Sequence, residues 1–345
     1  MEEDRRQAEK LGHLTRLATA GTPDDARWMG VALTLAERTR GRTAPNPNVG
    51  CVIVHDGRMV GRGWTQSGGR PHAEAAALAQ AGERARGATA YVTLEPCAHV
   101  STRGPACSDL LVASGVARVV IALTDPDPRT NGQGIARLRA AGIDVVCDVR
   151  ADDAARSMAG FLKRRALGRP FVTLKLALSL DGAVSRADGQ SQWITGPQAR
   201  AHGHLERSRH EAILVGRGTA EIDRPALNVR LPGLAERSPQ RVVLSADSAA
   251  LDGFAMLSSI DALASLSGDH VLVEGGAATA AAFLRADVVD RLLLYRAPIL
   301  IGHGRTLPDI GLPDLAQAHG RWRLYDARML GSDRLEVYER VRIGR

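Results

Sequence analysis

Aromatic side chains are scarce in this sequence, where Phe, Trp and Tyr together make up 3% of 345 residues. Proteins that grip single-stranded nucleic acid lean on stacking platforms, so that class begins with little support. Cysteine is scarce as well. Cys51, Cys97, Cys107 and Cys147 are too few for a disulfide framework in a chain this long. No apolar run approaches the span of a membrane helix. The opening stretch, MEEDRRQAEKLGHLTRLATA, lacks the apolar core of a secretory signal. The expectation is a cytoplasmic, reducing compartment, where paired cysteines more often hold metal than each other. No G-x-G-x-x-G follows a strand-like segment, which argues against a Rossmann dinucleotide site.

What is present points to two domains, because the length exceeds what one core usually organises. Hydrophobic residues make up 44%, so with few rings the core must be mostly Ala, Val and Leu. The formal charge of +7 attracts anions in general, but acidic and basic residues are interspersed, and most of that charge reads as surface Arg. Residues 1–22 read as a polar extension. From Asp24 the apolar residues repeat at helical spacing, until Pro45 and Pro47 break the pattern. VGCVIVHDGRMVGRGW reads as two strands turning at Asp56-Gly57. Helix and strand then alternate to residue 150, predicting an α/β domain over 23–150 with a largely parallel sheet. Residues 151–169 read as a charged helix and linker. Residues 170–345 open a second pattern, with strands at PFVTLKLALSLDG, EAILVGRGT, QRVVLS, DHVLVEGG and DRLLLYRAP, and a closing hairpin.

One constellation carries chemistry. His72-Ala73-Glu74 opens a helix, Pro96-Cys97 ends a strand, and Cys107 opens the next helix. Zinc favours imidazole and thiolate in a tetrahedron, and a catalytic site keeps one corner for water. One His and two Cys leave that corner open. Glu74 is close enough to reach the water without ligating the ion, and zinc brings that water near neutral acidity. H-A-E or P-C alone says little, but the ordered set matches the zinc nucleobase deaminases. The competing reading is a closed structural site with His99 as fourth ligand. Cys51 and Cys147 read as small buried hydrophobes.

At this point the chain resembles a known family. APNPNVGCVIV, GRPHAEAAAL, ATAYVTLEPCAH and GPACSDLLVASGVARVVIALTDPDP resemble the deaminase half of the bifunctional deaminase/reductases of riboflavin biosynthesis. FLKRRALGRPFVTLKLALSLDG, SQWITG, RPALNVR and VLVEGGAATAAAFL resemble the reductase half. The resemblance implies an N-terminal cytidine-deaminase-like α/β/α domain followed by a dihydrofolate-reductase-like α/β domain. It implies hydrolytic deamination of a diaminopyrimidinone ribosyl phosphate, then NADPH-dependent reduction of the ribosyl group to ribityl. The cofactors implied are Zn2+ and NADPH, and the partners a small phosphorylated pyrimidine and further copies of the chain, with no nucleic acid and no membrane. The alternative class is a nucleic-acid base deaminase with a basic accessory domain.

Residue by residue, the resemblance gives His72, Cys97 and Cys107 to zinc and Glu74 to proton transfer. It gives Asn46 and Arg103 to the first substrate. Ser191, Arg207, Leu227, Arg230 and Glu274 fall to the second, and Ala177, Trp193, Thr219, Asp223 and the stretch from Gly276 to NADPH. The chemistry agrees at several of these. EGGAATAAAF follows a strand and opens a helix whose free N–H groups suit a phosphate. Arg207 and Arg230 have the fork that grips phosphate. Without the motif, each Arg reads as a solvated charge and Trp193 as a loop anchor packed on the core. Lys175 reads as a substrate contact or a partner of Asp181 or another acid. The sequence departs from the family pattern at Thr65, where His is common, at Arg224, where a second Asp is usual, and at Ala246, where Ser often stands.

Overall fold

The computed structural model describes residues 21–99 and 104–342. The chain divides into two compact units, Met1–Arg165 and Ala166–Arg345. In the first unit, α1 (Pro23–Ala36) begins at a reciprocal cap: the Thr22 hydroxyl accepts the Asp25 amide while the Asp25 carboxylate accepts that of Thr22. β1 (Gly50–His55) and β2 (Arg58–Trp64) form a hairpin whose Asp56-Gly57 turn holds φ of 50° and 69°. Two positive φ values in a two-residue turn match the right-handed strand twist.

Then follow α2 (Ala73–Ala81), β3 (Thr89–Val92), α3 (Cys107–Ser114), β4 (Arg118–Ile121), α4 (Gln133–Ala140), β5 (Asp144–Val146), α5 (Ala151–Ser157) and α6 (Ala159–Leu167). The five strands lie in the order β2-β1-β3-β4-β5. β1 runs antiparallel to both neighbours, whereas β3, β4 and β5 are parallel. The sheet is therefore mixed, where a largely parallel one was expected. The hairpin sets β1 against β2, and the helical crossover from β2 keeps direction but lays β3 beside β1, so β1 is antiparallel to both. Ile53, Val92, Leu111, Ile121 and Leu138 fill one core with the helices.

The second unit holds β6 (Phe171–Leu178), β7 (Ser185–Arg186), α7 (Pro197–Arg207), β8 (Ala212–Gly216), α8 (Arg217–Asp223), β9 (Gln240–Leu244), β10 (Ala255–Leu257), β11 (His270–Val273), α9 (Ala277–Arg285), β12 (Arg291–Arg296), β13 (Gly304–Arg305), β14 (Trp322–Leu330) and β15 (Asp333–Arg340). Its main sheet runs β10-β9-β8-β11-β6-β12-β15-β14, parallel as far as β12. The closing hairpin then adds β15 and β14 antiparallel at one edge. Val172, Leu174, Leu214, Val271 and Phe283 form a separate core. The segment EAILVGRGT, expected as one strand, turns helical at Arg217. Among the described residues no helix is long and apolar enough to cross a membrane.

Candidate active sites

In the first unit the strand ends and helix starts converge on three ligands. His72 is the N-cap of α2, Cys97 follows β3, and Cys107 is the first residue of α3. The His72 Nδ1 lies 3.3 Å from the Cys107 Sγ and 3.7 Å from the Cys97 Sγ. All three donor atoms fall within 4.8 Å of one another, and they are the only such cluster among the described residues. With zinc bonds near 2.05 Å to nitrogen and 2.3 Å to sulfur, adjacent ligands of a tetrahedron stand about 3.6 Å apart. The triad therefore fits zinc. Its donor set agrees, because one imidazole nitrogen and two cysteine sulfurs are ligands zinc favours. His99 does not complete the tetrahedron; its Nδ1 stands 3.5 Å from the Thr130 hydroxyl.

Glu74, in the first turn of α2, is 3% exposed. Burial pushes its carboxyl up to about 7, against the pull of His72. The Asn46 amide meets the His72 Nε2 at 3.1 Å, on the ring edge away from the sulfurs. With a metal on Nδ1 the Nε2 carries a proton and donates, so the Asn46 amide would orient the ring through its oxygen. These groups open into a cleft of about 360 Å³ lined also by Pro45, Thr65, Arg70 and Leu94. Thr65 lends its hydroxyl to the Val49 amide at 3.0 Å, so its side chain serves the fold. Arg103 lies outside the described residues. The cleft is lined as well by Asp125, Asp127, Arg129, Phe161 and Arg165, which the sequence reading passed over. A turn-rich run such as TDPDPRTNG just past a strand was the available signal for the first of these. Arg165 sits in the stretch expected as a linker.

In the second unit Glu274, directly after β11, is gripped by Arg207 from α7 through Nε at 2.8 Å and Nη2 at 2.9 Å. Lys175 on β6 stands 3.7 Å from the same carboxylate. Burial opposes ionisation there, but the Lys175 and Arg207 charges win and hold Glu274 at about 2. Lys175 thus pairs with Glu274, while Asp181 accepts from Ser179 and from the Ile301 and Gly302 amides. The third nitrogen of Arg207 donates to the Asn228 carbonyl, close to Leu227, which is buried with φ of 51°. Arg230 meets His204 through Nε at 3.3 Å.

Gly276 caps α9 with no side-chain bond to the first turn, leaving those N–H groups for a ligand phosphate. A Cβ on Gly276 would stand 3.5 Å from the Thr219 hydroxyl, so these two expected cofactor residues are neighbours. The uncapped, glycine-cleared helix start fits a dinucleotide pyrophosphate. Ala177 is half-buried on β6. Ser191, Trp193 and Asp223 are exposed, and among the described residues no hydrogen bond or ion pair joins them to Arg207 or Glu274. Trp193 is 62% exposed with Arg200 over its ring at 4.9 Å, rather than packed into the core.

Fold and site together define a zinc-dependent deaminase domain joined to a dihydrofolate-reductase-like, NADPH-dependent reductase domain. Residues 22–123 match the family of the cytidine and deoxycytidylate deaminase zinc-binding region, and residues 170–334 match the RibD C-terminal domain. The chain belongs to the RibD family of riboflavin biosynthesis. It is 39% identical to the riboflavin biosynthesis protein RibD of Escherichia coli (strain K12), over 90% of this chain and 97% of that one. The solved structure of RibD from Acinetobacter baumannii superposes with a TM-score of 0.82 at 37% identity, covering 92% of this chain and 99% of that one. A diaminohydroxyphosphoribosylaminopyrimidine deaminase/5-amino-6-(5-phosphoribosylamino)uracil reductase from Thermotoga maritima gives 0.83 at 30% identity, with the same coverage of both chains.

Proposed function

We propose that the first unit carries out the hydrolytic deamination of a diaminopyrimidinone ribosyl phosphate and the second the NADPH-dependent reduction of its ribosyl group to ribityl. The observation that carries this reading is the His72, Cys97 and Cys107 triad with the buried Glu74 beside it. His72, Cys97 and Cys107 hold the ion. Zinc bound there supplies Lewis acidity that makes a water nucleophilic near neutral pH. Glu74, raised to about 7 by burial, is matched to moving protons at that pH. It moves both protons of the attacking water, one to the ring nitrogen beside the carbon attacked and one to the amine, which departs as ammonia while the carbon becomes a carbonyl. Asn46 orients His72 and faces the cleft, where it meets the pyrimidine edge.

In the second unit bound NADPH supplies the hydride. Gly276 at the start of α9, with Thr219 beside it, would hold the cofactor's phosphates, and Ala177, Trp193 and Asp223 would complete the cofactor side. Ser191, Leu227, Arg230 and the Arg207–Glu274–Lys175 cluster hold the ribosyl phosphate substrate. Because Arg207 spends its fork on Glu274, its part is to fix that carboxylate toward the sugar hydroxyls. The deaminase domain takes residues 23–150 and the reductase domain 170–345; of the stretch 151–169, expected as a linker, Ala154 and Met158 pack in the first unit's core and the first unit runs to Arg165. The chain works in the cytoplasm on a small molecule and self-associates, as the uncovered edge strand β14 favours. Cell fractionation checks the first of these.

The decisive experiment is Glu74→Gln. Ammonia release should fall on the order of 100- to 10,000-fold. Zinc content and the unfolding midpoint should stay at the wild-type values. Turnover preserved in that variant ends the reading.

A further inference from the structure

The second unit holds a histidine that the proposed chemistry does not use. His204 lies half-buried on α7, one turn before Arg207. Its Nδ1 is 3.1 Å from the Asn228 carbonyl, and its Nε2 is 3.3 Å from the Arg230 Nε. The same carbonyl accepts Arg207 Nη1 at 3.0 Å. An arginine Nε can only donate, and a carbonyl can only accept. The neutral ring with its proton on Nδ1 therefore makes both bonds at once. The other tautomer would accept from the Arg230 amide, 3.3 Å from Nδ1. It would do so while setting Nε2–H against the Arg230 Nε–H and a lone pair against the carbonyl, so the first form wins.

The surroundings keep that ring neutral. Burial lowers its basicity, and the Arg207 and Arg230 charges lower it further, against the weaker pull of the Asn228 carbonyl and Glu274. The charged groups that face it are Arg207 on α7 itself, Arg230 in the segment after α8, and Glu274 at the end of β11, with Lys175 on the far side of that carboxylate. Arg230 is exposed, and its Nη1 and Nη2 make no bond among the described residues. Its guanidinium is thus aimed through Nε by one imidazole lone pair. A long side chain without such an anchor spreads over many rotamers and loses that freedom again on binding. A proton on the His204 Nε2 would remove the acceptor and set a third positive charge beside Arg207 and Arg230.

We propose that His204 is a positioning residue of the reductase: as a neutral acceptor it aims Arg230 at the substrate, and its protonation in acid releases that arginine. This rests on the reading in which Arg230 meets the reductase substrate. A ring that merely packed α7 against the segment around Asn228 would alter stability, without an effect on substrate affinity that depended on pH or on Arg230.

The test follows NADPH oxidation with the deaminated, phosphorylated substrate in wild type, H204Q, H204L, R230Q and H204L/R230Q, over a pH range of about 5 to 8. Glutamine keeps an acceptor for the Arg230 Nε but does not titrate. At neutral pH, H204L should raise KM roughly 5- to 30-fold with kcat little changed, and H204Q should recover most of that loss. R230Q should raise KM at least as far as H204L. In the double variant the loss of His204 should add nothing to the loss of Arg230. The wild-type KM should climb as pH falls below the ordinary histidine range, and by more than the KM of H204Q. The substrate phosphate also titrates there, and it contributes equally to both proteins. The H204Q comparison carries the test by itself if H204L does not fold. A wild-type KM in H204L, an acid rise that H204Q shows in full, or full additivity of H204L and R230Q would each overturn the proposal. A wild-type KM in R230Q would withdraw Arg230 from the substrate and the proposal with it. Wild-type protein that leaves NADPH unoxidised would instead remove the reductase reading on which both stand.

Discussion

Three glutamates show how environment, not residue type, sets a role. Glu274 is charged because Lys175 and Arg207 surround it. Glu74 has burial on one side and the ligand triad on the other, so its proton is the mobile one. Glu95, 2% exposed, has no cation but four backbone donors. Oε1 accepts the Gly134 and Ile135 amides at 2.9 and 3.1 Å, and Oε2 those of Gly132 and Asp125 at 2.9 and 3.2 Å. It ties the start of α4 to the turn that presents Cys97. Glu95→Gln would turn an NH2 group toward two of those N–H donors. A cost of about 2–4 kcal/mol is expected, because buried donors would lose their acceptor. Thermal unfolding together with zinc content reads this: the midpoint should drop and zinc be held more weakly. A variant equal to wild type in both would show that Glu95 does not position the metal turn. In the sequence, Glu95 was visible only as the residue before Pro96-Cys97. Its four partners come from a loop and helix roughly thirty to forty residues on, which no local pattern displays.

At the scale of elements, what was legible followed local rules. The Asp56-Gly57 turn, the helix opening at His72 and the helix opening at Cys107 all stand where turn chemistry and apolar spacing put them. What was missed depended on distant partners. α7, PQARAHGHLER, has too few apolar residues to show a period, and it is held by Ala199 packing with Leu293, Tyr295, Leu335 and Val337. The antiparallel setting of β1 against β3 is likewise a choice of sheet order. Glycines settle the close approaches: a Cβ on Gly63 of β2 would collide with the Ala73 carbonyl and the Ala77 amide of α2, the helix that carries Glu74.

Among the described residues β14 is an edge strand with exposed apolar side chains. β14 ends the second sheet and exposes Leu324, Tyr325 and Met329 by 49, 48 and 61%. Such an edge presents unpaired backbone donors and acceptors along with apolar area. Self-association through β14 should give a sedimenting mass that is a multiple of 36.7 kDa. Tyr325→Lys with Met329→Lys should shift it toward a single chain, with both activities measured alongside. A monomeric wild type would refute the idea outright.

For the whole molecule, the question is how far one unit depends on the other's chemistry. Each has its own core, drawn in the first from residues between Met29 and Met158 and in the second from residues between Val172 and Val289. The zinc ligands belong wholly to the first, so the free energy of metal binding enters the stability of that unit. The second contains the Arg207–Glu274–Lys175 cluster and the open start of α9, neither of which draws on zinc. Treatment with a strong chelator should therefore abolish ammonia release and lower one thermal transition. NADPH oxidation with the deaminated substrate should persist, and added zinc should restore the lost half. If chelation silenced both reactions equally, the reductase site would have to borrow its integrity from the metal domain, and the separation of the two cores would not be the separation that governs function.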